Sequence, residues 1–340
     1  MRGRWHEGVD KWTHINQIMK EKKIGILAVQ ETHLSKDDET SLNETFNKRL
    51  KIISSIDPEH GNAKGVAIVL NKHLTSSQEA THKEIIPGRA ILVQLPWTKG
   101  EKITILAVYA PNDPSKNGAF WEEVQTNLTG LPTPDVLLGD FNIVEDALDR
   151  LPPKQDNEHA TVALMRLKLS LDLRDGWRAE NPDLLAYTFA QSSAQGGRQS
   201  RIDRIYISEN ILPFSKDWTI EPAGIATDHQ LISARISDVR MPFVGRGRWT
   251  LPLFILKDKD VKDRIIDMGR TMQLDIEDSL ANRSVTHNPQ TIFKNFKDTA
   301  IKFCRDKART SIPKIQNRIN SLKSDLKACL NDQSTPEEER

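Results

Sequence analysis

At 340 residues, 37% of them hydrophobic and 28% charged, the chain can bury the core of one large domain plus an appendage, which excludes disorder as its general state. Its net charge of +1 hides an asymmetry: residues 1–240 carry 29 Lys and Arg against 33 Asp and Glu, while residues 241–340 carry 19 against 14. Two cysteines, Cys304 and Cys329, are too few for a zinc cluster or a disulfide framework, and no run approaches the ~20 apolar residues of a membrane span.

In chain order, Trp12, Ile15, Ile18 and Met19 recur at helical spacing and lead into a strand-length apolar run at 24–30. Further runs of that length follow at 65–70, 90–95, 103–109, 135–138, 202–207 and 231–236, separated by turn clusters such as Pro87-Gly88. Helical periodicity returns at Trp121, Val124 and Leu128, and again from Val162 to Leu171. Strands and helices therefore alternate over residues 1–240, but there are too few helices for every strand connection to be a βαβ crossover. The expected architecture is an α/β fold, a two-sheet β-sandwich flanked by helices.

Beyond residue 240 the texture changes. Gly245-Arg246-Gly247-Arg248-Trp249 reads as a linker, and the remainder of 241–340 as a basic helical extension. Ile315, Ile319, Leu322, Leu326 and Cys329 alternate four and three apart, a stripe on one helix face. Ten basic residues between Lys294 and Lys327 make nucleic acid, RNA included, one candidate partner for these helices, and a solvated basic face the other. Residues 334–340 hold no apolar side chain and are expected to fray.

Four polar clusters are expected at the C-terminal ends of apolar runs, where a buried strand surfaces. They are Gln30-Glu31-Thr32-His33, Tyr109-Ala110-Pro111-Asn112, Gly139-Asp140-Phe141-Asn142, and Asp203 within Ser200-Arg201-Ile202-Asp203-Arg204-Ile205-Tyr206. A fifth, Thr227-Asp228-His229, precedes the last strand. Any one carboxylate in such a place is ordinarily a turn or cap residue. Several converging on one rim repel one another unless a hard cation lies among them, and oxygen ligands specify Mg²⁺, Mn²⁺ or Ca²⁺ over zinc.

In content and order these five motifs resemble the DNase I-like endonuclease/exonuclease/phosphatase superfamily, which includes abasic-site endonucleases. The Gly-Arg-rich segment and basic tail narrow the resemblance to LINE-type (non-LTR) retrotransposon endonucleases. The resemblance implies divalent-metal-dependent phosphodiester hydrolysis, with Mg²⁺ or Mn²⁺ as cofactor, DNA as substrate, a nuclear setting, and a reverse transcriptase downstream. By the same resemblance Glu31 and Asp228 belong to the metal site, Asp140 deprotonates the attacking water, and Asn142, carried beside it on an extended segment, donates to a phosphate oxygen. Tyr109 steadies the phosphate or leaving group, and His229 donates to a non-bridging oxygen while Asp203 holds its ring and keeps it protonated.

Arg198, Arg201 and Arg204 are candidate DNA phosphate contacts, with salt-bridging to the acidic rim as the alternative. Trp177 reads as a buried anchor. The family opens with a strand ending in Asn-x-x-Gly, and Met1-Arg2-Gly3 aligns with the residues after that Asn. The resemblance thus implies a first strand and a metal-site asparagine that this sequence does not hold, and with them reduced activity. A phosphatase of small-molecule or lipid phosphates, and a non-catalytic nucleic-acid binder, are the competing functions.

Overall fold

The computed structural model describes residues 3–57, 64–98, 100–191, 197–237, 249 and 251–331. They fall into two compact units, one built on residues 1–241 and the other on 242–330. Of the expected linker at 245–249 only Trp249 lies within the described residues, and the tail at 334–340 lies outside them.

The first unit begins with a hairpin of β1 (Trp5–His6) and β2 (Val9–Asp10). Asp10 accepts a hydrogen bond from the Trp12 N–H, satisfying a first-turn donor that no helix carbonyl can reach, and so starts α1 (Lys11–Glu21). β3 (Ile26–Gln30), α2 (Lys36–Thr45), β4 (Leu50–Ser55) and β5 (Val66–Asn71) follow, and the strands pair antiparallel in the order β3-β5-β4. Ser35 and Asp38 cap α2 reciprocally.

β6 (Thr81–Ile86), β7 (Ala90–Pro96) and β8 (Lys102–Tyr109) form an antiparallel meander. Through α3 (Pro114–Asn127) the chain crosses over to β9 (Val136–Asp140), which pairs parallel with β8. Next come β10 (Arg150–Leu151), α4 (Glu158–Ser170), β11 (Leu173–Asp175), α5 (Gly176–Glu180), β12 (Phe189–Ala190), β13 (Gln199–Ser200) and β14 (Asp203–Ser208). The resulting six-stranded sheet has the order β11-β14-β9-β8-β7-β6, and β10-β13-β12 form a small sheet beside it. β15 (Ser215–Pro222) and β16 (Gln230–Ile236) close the unit as a hairpin.

Because successive strand side chains point to opposite faces, each sheet feeds two cores. Ile103, Ile105 and Ala107 of β8 meet Val66, Ile68 and Leu70 of β5 between the sheets. Leu106 and Val108 face away, onto Phe120, Trp121 and Val124 of α3 and Leu164 and Leu167 of α4. Ala67 and Val69 of β5 back onto Trp12, Ile15 and Met19 of α1. The unit is therefore a helix–sheet–sheet–helix sandwich, as the alternating pattern predicts. Among the described residues β3 and β16 each have a hydrogen-bonded neighbour on one side only.

Besides the shortest strands and α5, four longer elements escape the sequence pattern. α2 buries only Leu42 and β6 exposes most of its residues, so neither carries a strong apolar period. β4 and β15 interleave polar with apolar residues too unevenly to stand out.

In the second unit Asp258 accepts from the Val261 N–H and caps α6 (Lys259–Ala281), and α7 (Pro289–Asn331) follows. Ile255 and Val261 pack on Cys304 and Ala308 in a small core. Lys307 ties the two helices by pairing with Asp258 at 2.9 Å.

Candidate active site

Strand register assembles the site. Tyr109 is the last residue of β8 and pairs across the parallel ladder with Asp140, the last of β9. Asp140 in turn pairs with Asp203. Asp203 opens β14 where the sequence reading had it closing a strand; because β14 runs antiparallel to β9, its start lies beside the end of β9, and the side chain reaches the same rim. Gly139 permits this arrangement. It has φ +141°, and a β-carbon there would lie 2.0 Å from the Val108 carbonyl oxygen.

His229 arrives from the turn before β16, where Thr227 Oγ1 accepts from the His229 N–H at 3.2 Å. Its Nδ1 lies 2.8 Å from Asp203 Oδ2. Asp140, Asp203 and His229 each offer a ligand-type atom within 4.8 Å of the others, the one such cluster among the described residues. Burial pulls the imidazole toward neutrality, but the Asp203 carboxylate, backed by Asp140 and Asp228, outweighs it and lifts His229 to about 9. At neutral pH the ring is a cation held by Asp203. For Asp140, burial first and then the Asp203 charge raise the carboxyl well above its ordinary range, against the pull of His229 and of the Asn142 N–H.

Glu31 follows β3 in a left-handed conformation, φ +52°. The Tyr109 phenol donates to its Oε1 at 2.6 Å and lies 3.2 Å from Asn112 Oδ1. Burial and the Glu31 carboxylate push the phenol's pKa up, so Tyr109 is a neutral donor at any working pH. Asn142 departs from the extended segment expected for it. At φ +53° it turns back, its N–H donating to Asp140 Oδ1 at 2.9 Å and its amide to Ala110 O at 2.9 Å and Asn112 Oδ1 at 3.1 Å. It thereby fixes the Asp140 carboxylate. Asp228 is exposed and contributes charge beside His229.

Two of the three arginine expectations are corrected by burial. Arg201 is 2% exposed, forks onto both oxygens of Asp149 at 2.8 and 2.7 Å, and reaches Asp175 at 2.8 Å. Arg204, on the opposite face of β14 from Asp203, is fully buried and donates to Ile143 O at 2.7 Å. Neither can meet DNA, and neither pairs with the acidic rim: Arg201 is held by Asp149 and Asp175, while Arg204 spends its guanidinium mainly on backbone carbonyls. Arg198 is exposed. Trp177 is a buried anchor whose ring lies under the Arg201 guanidinium at 5.2 Å.

Sequence reasoning missed Thr188 and Phe189. Thr188 Oγ1, fully buried, accepts from the Ile202 and Asp203 N–H groups at 3.1 and 3.0 Å, and Thr188 O accepts from Gln230 N–H at 2.7 Å. It splints the segment carrying Asp203 to the one carrying His229. Phe189 bridges to His229 and covers its ring at 4.9 Å. Nothing in a lone Thr-Phe dipeptide signals either task.

The donor set fits a hard divalent cation. Asp140 is buried beside Asp203 and feels the Glu31 charge, an excess of negative charge that a cation would offset. A protonated His229 has no lone pair free for a metal, which leaves that part to carboxylate oxygens.

A model of the Endonuclease/Exonuclease/phosphatase family matches residues 8–238. The chain is similar to the Transposon TX1 uncharacterized 149 kDa protein of Xenopus laevis, with 30% identity over 188 residues, 55% of this chain and 14% of that protein. It thus spans a small part of that relative's length. Among solved structures it is similar in fold to the AP endonuclease LMAP from Leishmania major, with a TM-score of 0.54 and 15% identity over 64% of this chain and 80% of that one. A second likeness is to the 3′ phosphatase NExo from Neisseria bound to product DNA hairpin, with a TM-score of 0.52 and 21% identity over 67% and 94%.

Proposed function

This chain belongs to the endonuclease/exonuclease/phosphatase family, and from that premise we propose that it nicks DNA by divalent-metal-dependent phosphodiester hydrolysis, as the endonuclease module of a non-LTR retrotransposon protein. The observation that carries the chemistry is the cluster of Asp140, Asp203 and His229 on two adjacent strand ends and one neighbouring turn. Similarity to a transposon protein supports the retrotransposon reading, and the DNA-bound 3′ phosphatase supports DNA as substrate.

Glu31 would hold a Mg²⁺ or Mn²⁺ ion, with Asp228 as a further acidic group on the rim. When bound, the ion supplies positive charge to the phosphate and acidity to nearby water. Asp140, steadied by the Asn142 N–H, takes the proton of the attacking water. Protonated His229, held by Asp203 through Nδ1, donates from Nε2 to a non-bridging phosphate oxygen as charge builds there. Tyr109 holds Glu31 in place through its phenol. Of the three candidate arginines Arg198 is the exposed one, and it would meet a DNA phosphate. The cut leaves a 3′ hydroxyl able to prime reverse transcription, which assigns the work to the nucleus.

The test is relaxation of supercoiled plasmid by the purified chain. Nicking should require Mg²⁺ or Mn²⁺, stop with EDTA, and fall by about 10²-fold or more in Asp140→Asn and in His229→Ala. Nicking that proceeds alike in wild type and both variants, or cleavage of inositol phosphates without any of DNA, overturns the proposal.

A further inference from the structure

The long helix α7 changes character along its length. Up to residue 311 it carries buried and half-buried side chains, of which Phe303, Cys304 and Ala308 belong to the small core. From residue 312 to 322 every described side chain is exposed, yet the apolar spacing continues: Ile312, Ile315, Ile319 and Leu322 are 43, 45, 39 and 49% exposed. Their three-four-three interval puts them on one stripe, the seam of a two-helix contact.

This part of the helix lacks local reasons to persist. Isoleucine is a middling helix former, and Pro313 removes a backbone donor inside the helix. A partner that buries the stripe supplies the missing stabilisation.

Charge selects among partners. Between residues 310 and 324 the sequence holds Lys314, Arg318 and Lys323 and no Asp or Glu. With Ile312 and Ile319 at the a positions and Ile315 and Leu322 at d, Arg318 and Lys323 occupy the g and e positions that flank the seam. A second copy would bring like charges together across such a contact, and a nucleic acid would neutralise the cations but leave the isoleucines in water. We propose that residues 311–322 of α7 are a docking helix for an acidic amphipathic helix of a partner protein, whose apolar row covers Ile312, Ile315, Ile319 and Leu322 and whose carboxylates pair with the flanking Lys and Arg.

The experiment titrates the full chain into a fluorescently labelled synthetic helix of three heptads, with Ile and Leu at a and d and Glu at e and g, beside a twin carrying Lys there. The Glu peptide should bind about tenfold or more tightly than the Lys peptide, more weakly as salt rises. Ile315→Glu with Ile319→Glu should abolish binding, and Arg318→Glu with Lys323→Glu should reverse the preference, with the circular dichroism of the chain unchanged. Equal binding of both peptides, or binding of neither, overturns the proposal. So does sedimentation of the free chain as a dimer that Ile319→Glu dissociates, or uptake on anionic vesicles with no binding of the Glu peptide.

Discussion

The imidazolium of His229 depends on the carboxylate beside it. In Asp203→Asn the burial of the ring is opposed only by the more distant charges of Asp140 and Asp228, so His229 should titrate well below about 9. An NMR titration of the ring protons reads this directly, and the alkaline limb of the nicking profile should move to lower pH with it. A histidine whose folded pKa is raised stabilises the fold in full below its unfolded value of about 6.5, and the contribution fades as pH rises. For His229 it is gone once pH passes about 9. Thermal melts should therefore separate the variant from wild type at about pH 6 and bring them together at about pH 10. The arginines divide the other way. Arg201→Ala removes two charge-assisted hydrogen bonds from the buried Asp149, leaving it Arg178 as its ion-pair partner, and should cost about 3 kcal/mol in a denaturant melt. Arg198→Ala should leave the melt unchanged within about 0.5 kcal/mol and weaken DNA binding in a salt-dependent way.

β9 shows how an element turns register into chemistry. Its hydrogen bonds to β8 on one side and β14 on the other align Tyr109, Asp140 and Asp203 across three strand ends. That alignment needs the close approach at Gly139, so Gly139→Ala forces β9 away from Val108 at a backbone conformation alanine resists. The expected outcome is a loss of about 2 kcal/mol or more in stability together with loss of nicking, read by thermal melting and plasmid assay. The apolar run of β9 was legible because its side chains are buried on both faces. The turn that follows was not, since its meaning lies in the left-handed Asn142 and the hydrogen bond that residue returns to Asp140. α2 and β6 were invisible for the opposite reason: each buries so little that no apolar period marks it.

At the scale of the whole molecule, the chain carries two units with unequal cores, a four-layer sandwich and a sparsely packed helical pair. Residues 1–241 prepared alone should keep the near-ultraviolet circular dichroism of the sandwich and its nicking activity, because each site residue lies within them. Loss of both on truncation would show that the proposed division near residue 240 is drawn in the wrong place.

The sequence by itself determined the alternation of strands and helices and the sandwich, and it singled out Glu31, Tyr109, Asp140, Asp203 and His229 as candidates, because apolar periodicity and ordered polar motifs are local properties written along the chain. Tertiary structure alone decided which arginines face solvent, where the Asn142 amide is spent, and that Thr188 and Phe189 brace the Asp203–His229 pair. Those outcomes depend on what lies across a sheet or behind it, and a guanidinium reads the same in sequence whether it ends on water or on a buried Asp149.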